Sequence, residues 1–167
     1  FPAGRTAVDL DHGGRHACSL LDDGPVYCWF SNSHGQLGNG SASAQVWYIT
    51  TPVAVDLPTG SVAVSLGLGD YHSCAILDDD SMYCWGHDSS GQLGDGSYDS
   101  TNTGDPVAVD LPVGRTPITV SGGGHHTAAI MDDGSMYCWG HNGGGQCGLG
   151  NTTYSFETPL EVDLNGG

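Results

Sequence analysis

Residues 72–86 read His-Ser-Cys-Ala-Ile-Leu-Asp-Asp-Asp-Ser-Met-Tyr-Cys-Trp-Gly. An apolar run, an acidic turn and a second apolar run ending in Trp85-Gly86 spell a tight β-hairpin. The same stretch begins at His16 and again at His126, displaced by 56 and then 54 residues. Tyr27-Cys28-Trp29, Tyr83-Cys84-Trp85 and Tyr137-Cys138-Trp139 keep this phase. So do Gly35-Gln36-Leu37-Gly38, Gly91-Gln92-Leu93-Gly94 and Gly145-Gln146-Cys147-Gly148. The connecting segments Pro52–Leu57 and Pro106–Leu111 match, and Pro159–Leu164 matches more loosely.

Each repeat reads as four short strands separated by turn residues. In the second repeat these are Val62–Leu66, His72–Leu77, Ser81–Trp85 and the Pro-Val-Ala-Val-Asp-Leu segment. Four-stranded units of this length are β-propeller blades. The expected fold is therefore all-β, with three tandem blades at 1–56, 57–110 and 111–163; residues 164–167 begin the next phase. Phe1-Pro2-Ala3-Gly4 shares its phase with Leu57-Pro58-Thr59-Gly60, Leu111-Pro112-Val113-Gly114 and Leu164-Asn165-Gly166-Gly167. Three blades leave open edges. The expectation is head-to-tail stacking of copies into a ring or filament; the alternative is an excerpt of a larger propeller.

The pattern Gly-x-x-His-x-Cys-Ala, Asp-Asp-Gly, Tyr-Cys-Trp-Gly and Gly-Gln-Leu-Gly resembles the regulator of chromosome condensation repeats across the whole chain. The resemblance implies a propeller, seven-bladed in most members. Those members include a Ran GTPase exchange factor, a plant ultraviolet-B photoreceptor, secreted β-lactamase inhibitors and bacterial surface proteins. One activity is not shared across them, so function must be argued from the site. The photoreceptor's Gly-Trp-Arg-His-Thr has Gly14, Asp70 and Gly124 or His125 in place of its Trp here, and basic chromosome-binding segments are absent.

Charge narrows function further. Three Lys+Arg face nineteen Asp+Glu, a net charge of −16 that repels nucleic acid and anionic membranes. No apolar run is long enough to span a bilayer as a helix. The Asp clusters at 22–23, 78–80 and 132–133 read as turn chemistry, with calcium as the weaker alternative. The sequence lacks nucleophile-elbow, phosphate-loop and metalloprotease motifs, so no enzyme is expected. No other cofactor or metal is implied. His72-x-Cys74 with Cys84-x-x-His87 has zinc-type ligands, but Ser31 replaces His87 in the first repeat. The phased His16, His72 and His126 are expected to bond a turn carbonyl. Trp29, Trp85 and Trp139 read as packing between blades.

A three-residue hairpin loop sets Leu21 opposite Pro25, hence Cys18 opposite Cys28 and Cys74 opposite Cys84, within disulfide range. In the third repeat Ala128 replaces the first cysteine while Cys147 appears in a leucine position. This suggests a Cys138–Cys147 bridge, against two free thiols or an intermolecular bond. Disulfides point to an extracellular or cell-surface setting. Asn39-Gly40-Ser41 and Asn151-Thr152-Thr153 are glycosylation acceptor patterns. Trp47 and Tyr48, with Tyr98, Tyr154 and Phe156 in the corresponding loops, are the aromatic binding candidates for a protein or glycan. The expected function is an extracellular structural or interaction repeat protein. It would stack on other copies or, as the excerpt, present its loops to a protein or glycan. Reduction should raise the intact mass by six hydrogens for the six cysteines; alkylation of native thiols would contradict the third pairing.

Overall fold

The structure is a computed structural model that describes residues 1–42, 48–99 and 104–164. The first sheet comprises β1 (Ala7–His12), β2 (His16–Leu21), β3 (Val26–Phe30) and β4 (Ile49–Ala54). The second comprises β5 (Ala63–Leu68), β6 (His72–Leu77), β7 (Met82–Gly86) and β8 (Val107–Ala108). The third comprises β9 (Pro117–Gly122), β10 (His126–Met131), β11 (Met136–His141) and β12 (Ser155–Glu161). All three are antiparallel meanders whose sheet order follows the chain. Each is a four-stranded blade, and the array is open at both ends.

Local chemistry explains the strand limits. Hairpins close where the Leu21 N–H donates to Pro25 O at 3.0 Å, so Leu20 faces Val26 and Cys18 faces Cys28. Asp79 and Asp133 accept from Ser81 and Ser135, backbone and hydroxyl, while Arg5 and Arg115 pair with Asp23 and Asp133. Several tip acids thus serve the turns. The first strand of each blade departs from simple alternation: Val8, Val64 and Ile118 are extra residues at bulges and point to solvent. The fourth strand ends earlier than expected, at Ala54 and Ala108, because Val55 and Val109 instead donate to Val26 O and Met82 O.

Cys18–Cys28 and Cys74–Cys84 bridge their hairpins, and Cys138–Cys147 ties β11 to the following turn. The cysteines of the sequence-level zinc set are thereby consumed.

Two cores lie between successive blades. Cys18, Leu20, Val26 and Leu37 of the first blade meet Leu66, Ala75, Leu77 and Trp85 of the second. Ile76, Met82 and Leu93 of the second meet Val120, Ala129, Met131 and Trp139 of the third. At each joint a polar clasp repeats. The Ser73 hydroxyl donates to Gln36 O (3.0 Å), so the His16 Nε2–H donates to Ser73 Oγ (2.6 Å), and the Trp85 Nε1–H also donates to Gln36 O (3.0 Å). One blade on, Thr127 donates to Gln92 O (2.8 Å), His72 to Thr127 (2.9 Å) and Trp139 to Gln92 O (3.0 Å). This corrects the expected role of His16 and His72. They bond the next blade's hydroxyl, because the strand start points each ring across the joint. The last glycine of Gly-Gln-Leu-Gly is needed here: a Cβ on Gly38 or Gly94 would lie 2.7 or 2.6 Å from the indole Nε1 of Trp85 or Trp139.

Thr127→Val leaves the buried His72 Nε2–H without a partner. It should cost about 1–3 kcal/mol in urea unfolding, with Thr127→Ser close to wild type.

Candidate functional site

The meander puts the β2–β3, β6–β7 and β10–β11 hairpins at one end of the blades. The turns before β2, β6 and β10 and the exits of β3, β7 and β11 lie at the other. All eight histidines fall at this second end, while seven acids at positions 22–23, 78–80 and 132–133 occupy the hairpin tips. The histidine end also carries Asp11, Asp70 and Asp88.

At the histidine end a glutamine fixes each turn. The Oε1 of Gln36, Gln92 and Gln146 accepts the backbone N–H of His34, Ser90 and Gly144 at 2.8–2.9 Å. That sets the amide Nε2–H as the outward donor. Gln92 reaches His87 Nδ1 at 2.8 Å and Gln146 reaches His141 Nδ1 at 2.9 Å. The His87 imidazole is therefore neutral, with its proton on Nε2. Neighbouring Asn32, Asp88 and Asn142 use Oδ1 to accept from the N–H of Leu37, Leu93 and Cys147. Asp replaces Asn in the middle blade because its second oxygen accepts the Asp99 N–H, whereas the Asn32 and Asn142 amides donate to the carbonyls of Ser41 and Asn151.

Above these turns His34, Tyr71, His87 and His125 form one ring cluster with centroids 4.7–6.1 Å apart. The Arg15 guanidinium stands 5.4 Å from the Tyr71 ring. Phe30 packs on Tyr48 at 4.6 Å and His141 on Tyr154 at 4.9 Å. Among the described residues no three His, Cys, Asp or Glu are arranged to hold a metal ion. The Gln92 bond explains why His87 does not serve: a ring whose Nδ1 accepts and whose Nε2 carries the proton has no lone pair to offer.

Of the sequence-level candidates, Tyr48 and Tyr154 are exposed at this end, and the Tyr98 hydroxyl reaches across to Ser155 O at 3.4 Å. Trp47 lies outside the described residues. Phe156, expected in the loop, pairs with Gly140 inside β12 and is half-buried, because the third repeat's fourth strand starts at Ser155. Asn39 is half-buried, its amide oxygen accepting from Asn32 and from the Ser41 hydroxyl. Asn151 is exposed and accepts the Thr153 N–H at 3.0 Å. Sequence reasoning missed Arg15, Phe30, His34, Tyr71 and His125 as members of one cluster, and took His87 only as a zinc-type ligand. The signal available was variability at fixed repeat positions: Arg15, Tyr71 and His125 align, and Phe30 stands where the other repeats have Gly86 and Gly140.

Burial lowers His16 to about 4 and His72 to about 3, from an ordinary 6.5; nearby histidines add to the effect at His72. Burial, then His34 and His125, lowers His87 to about 4. Burial raises Asp88 to about 6. For the histidines the unfolded chain binds more protons between pH 6.5 and about 4, so stability is lost as pH falls through that window. Asp88 acts in the opposite sense between 3.8 and about 6, but it is one group against three. The thermal midpoint should therefore drop between about pH 6.5 and 4; a flat profile contradicts the buried-neutral assignment.

The sequence profile of the regulator of chromosome condensation (RCC1) repeat matches residues 23–76, 79–130 and 133–166, and a second profile for this repeat matches 63–92 and 118–146. Human RCC1 domain-containing protein 1 is 28% identical over 94% of this chain and 50% of its own length. The mitochondrial RCC1 domain-containing protein RUG3 of Arabidopsis thaliana is 29% identical over 91% of this chain and 33% of its own. The crystal structure of human WBSCR16 superposes with a TM-score of 0.86 at 20% identity, covering 99% of this chain and 40% of that one. That of Saccharomyces cerevisiae Prp20p, a protein with binding properties to Gsp1p and histones, gives 0.78 at 23%, covering 93% and 38%. The chain thus spans half or less of the length of these proteins. By the match over most of its residues, it belongs to the regulator of chromosome condensation repeat family.

Proposed function

We propose that this chain is a three-blade block of a larger propeller that works as a non-catalytic protein-interaction module. One observation carries the reading: equivalent residues are buried where a neighbouring blade is present and bare where it is not. Leu66 and Val120 are 6% and 5% exposed, whereas their counterpart Leu10 on the first blade is 63% exposed. Leu20 and Ile76 are 4% and 2% exposed, whereas Ile130 on the last blade is 39% exposed. These faces are built to be covered.

The clasp bears on what covers them. The third blade offers His126 and Gln146 O, in phase with His72 and Gln92. A blade with a hydroxyl and a Trp at the clasp positions satisfies both. The first blade of a second copy presents Trp29 but Ala17 in place of Ser73 or Thr127, so head-to-tail stacking of copies makes only part of the clasp. Further blades are therefore the better occupant, and self-stacking is the weaker reading. Protein partners are supported by Prp20p, whose partners are proteins. An oxidising, extracellular compartment is supported by three disulfides with no free cysteine among the described residues. Asn151, exposed in its Asx turn, is the better glycan acceptor of the two.

In sedimentation velocity the isolated chain should self-associate weakly and bind a hydrophobic dye. A fusion carrying a further repeat with Ser or Thr and Trp at the clasp positions should suppress both. A dye-silent 17.2 kDa monomer overturns the reading.

A further inference from the structure

The chain has three cations, and they are not used alike. Arg5 and Arg115 sit by the hairpin tips, each paired with an aspartate. Arg15 is exposed at the opposite end, over the Tyr71 ring, with no carboxylate within 4.0 Å among the described residues. In a chain with nineteen acids, a guanidinium left without one is a vacancy for an anion from outside.

A second, independent observation lies next to it. Phe30 has φ +91°, in the left-handed region, at the position where the other blades carry Gly86 and Gly140 at +105° and +88°. A phenylalanine held there costs on the order of 1–3 kcal/mol, which persists where function requires it. The side chain is exposed and forms no part of either inter-blade core, so packing does not offset the strain. Its ring packs at a tilt on Tyr48 and, with that residue, Gly14, Arg15, Ser31 and Ser33, lines an open cleft of about 240 Å³. Cation and aromatic pair therefore share one cleft.

We propose that Arg15, Phe30 and Tyr48 form the recognition cleft for an acidic peptide segment of a protein partner. A carboxylate sits on the Arg15 guanidinium and an adjacent apolar side chain lies on the Phe30–Tyr48 rings. A neutral sugar would leave the guanidinium unmatched, and nucleic acid needs several cations along its phosphates where this cleft has Arg15 alone. The inference rests on the interaction-module reading and adds to it the face and the chemistry of the partner.

The test is fluorescence anisotropy of the full chain with a short labelled peptide of alternating Glu and Phe, its Gln-for-Glu counterpart, and a labelled maltohexaose. The Glu peptide should bind the wild type, and Arg15→Gln should weaken it by roughly tenfold or more. Phe30→Gly should weaken it comparably while raising the thermal midpoint, a combination that separates lost contact from lost fold. Ile130→Ser, on the open blade face, should leave binding unchanged. Equal binding of the Gln peptide, loss of binding in Ile130→Ser alone, or maltohexaose binding that is lost in Arg15→Gln would each overturn the proposal. So would absence of binding up to about 1 mM. None of these outcomes touches the blade-block reading, which the sedimentation experiment decides separately.

Discussion

The fold depends on one backbone carbonyl per joint. Gln36 O and Gln92 O each accept two hydrogen bonds from the following blade, an indole N–H and a hydroxyl. The hydroxyl in turn accepts from the preceding blade's histidine. Each joint is thus a closed polar circuit inside an apolar interface, where an unpaired donor would be costly and a paired one specifies geometry. It fixes the order and tilt of blades in a way apolar packing alone does not. It also explains why His, Gln, Gly and Trp recur in phase although they sit far apart in each repeat.

The same circuit turns titration into a statement about assembly. His16 and His72 hold their neutral forms because burial disfavours the charge; each gives one N–H across a joint, and Nδ1 has no protein partner. Protonation puts charge at the centre of the joint with nothing to receive it. Acid therefore acts on the contacts between blades before the strands within them. The hairpins carry their own ladder bonds and, in the first two blades, a disulfide across each pair.

Much of the fold was legible in sequence because repetition supplies an internal alignment: three phased hairpins, three phased turns and the opposed cysteines. The roles of the phased histidines were not legible. A ring at a strand start can bond down into its own turn or across to a neighbour, and only the stacking of blades decides. Bulges at Val8, Val64 and Ile118 were hidden because an apolar extra residue looks like continued strand. The candidate cleft was invisible for the opposite reason. Arg15 and Phe30 break the repeat, and a reading that seeks agreement passes over departures.

One further departure has a mechanical meaning. In the first two blades the residue after Gln is a leucine held in the inter-blade core, at Leu37 and Leu93, so the docking turn is braced by the next blade. In the third blade that residue is Cys147, bonded to Cys138 of the blade's own strand. The turn that presents Gln146 O is thus anchored from within, at the one described joint without a following blade. Its ordering cost is met during oxidation and is absent when a neighbour arrives. The edge is pre-shaped, a template on which the next blade can settle.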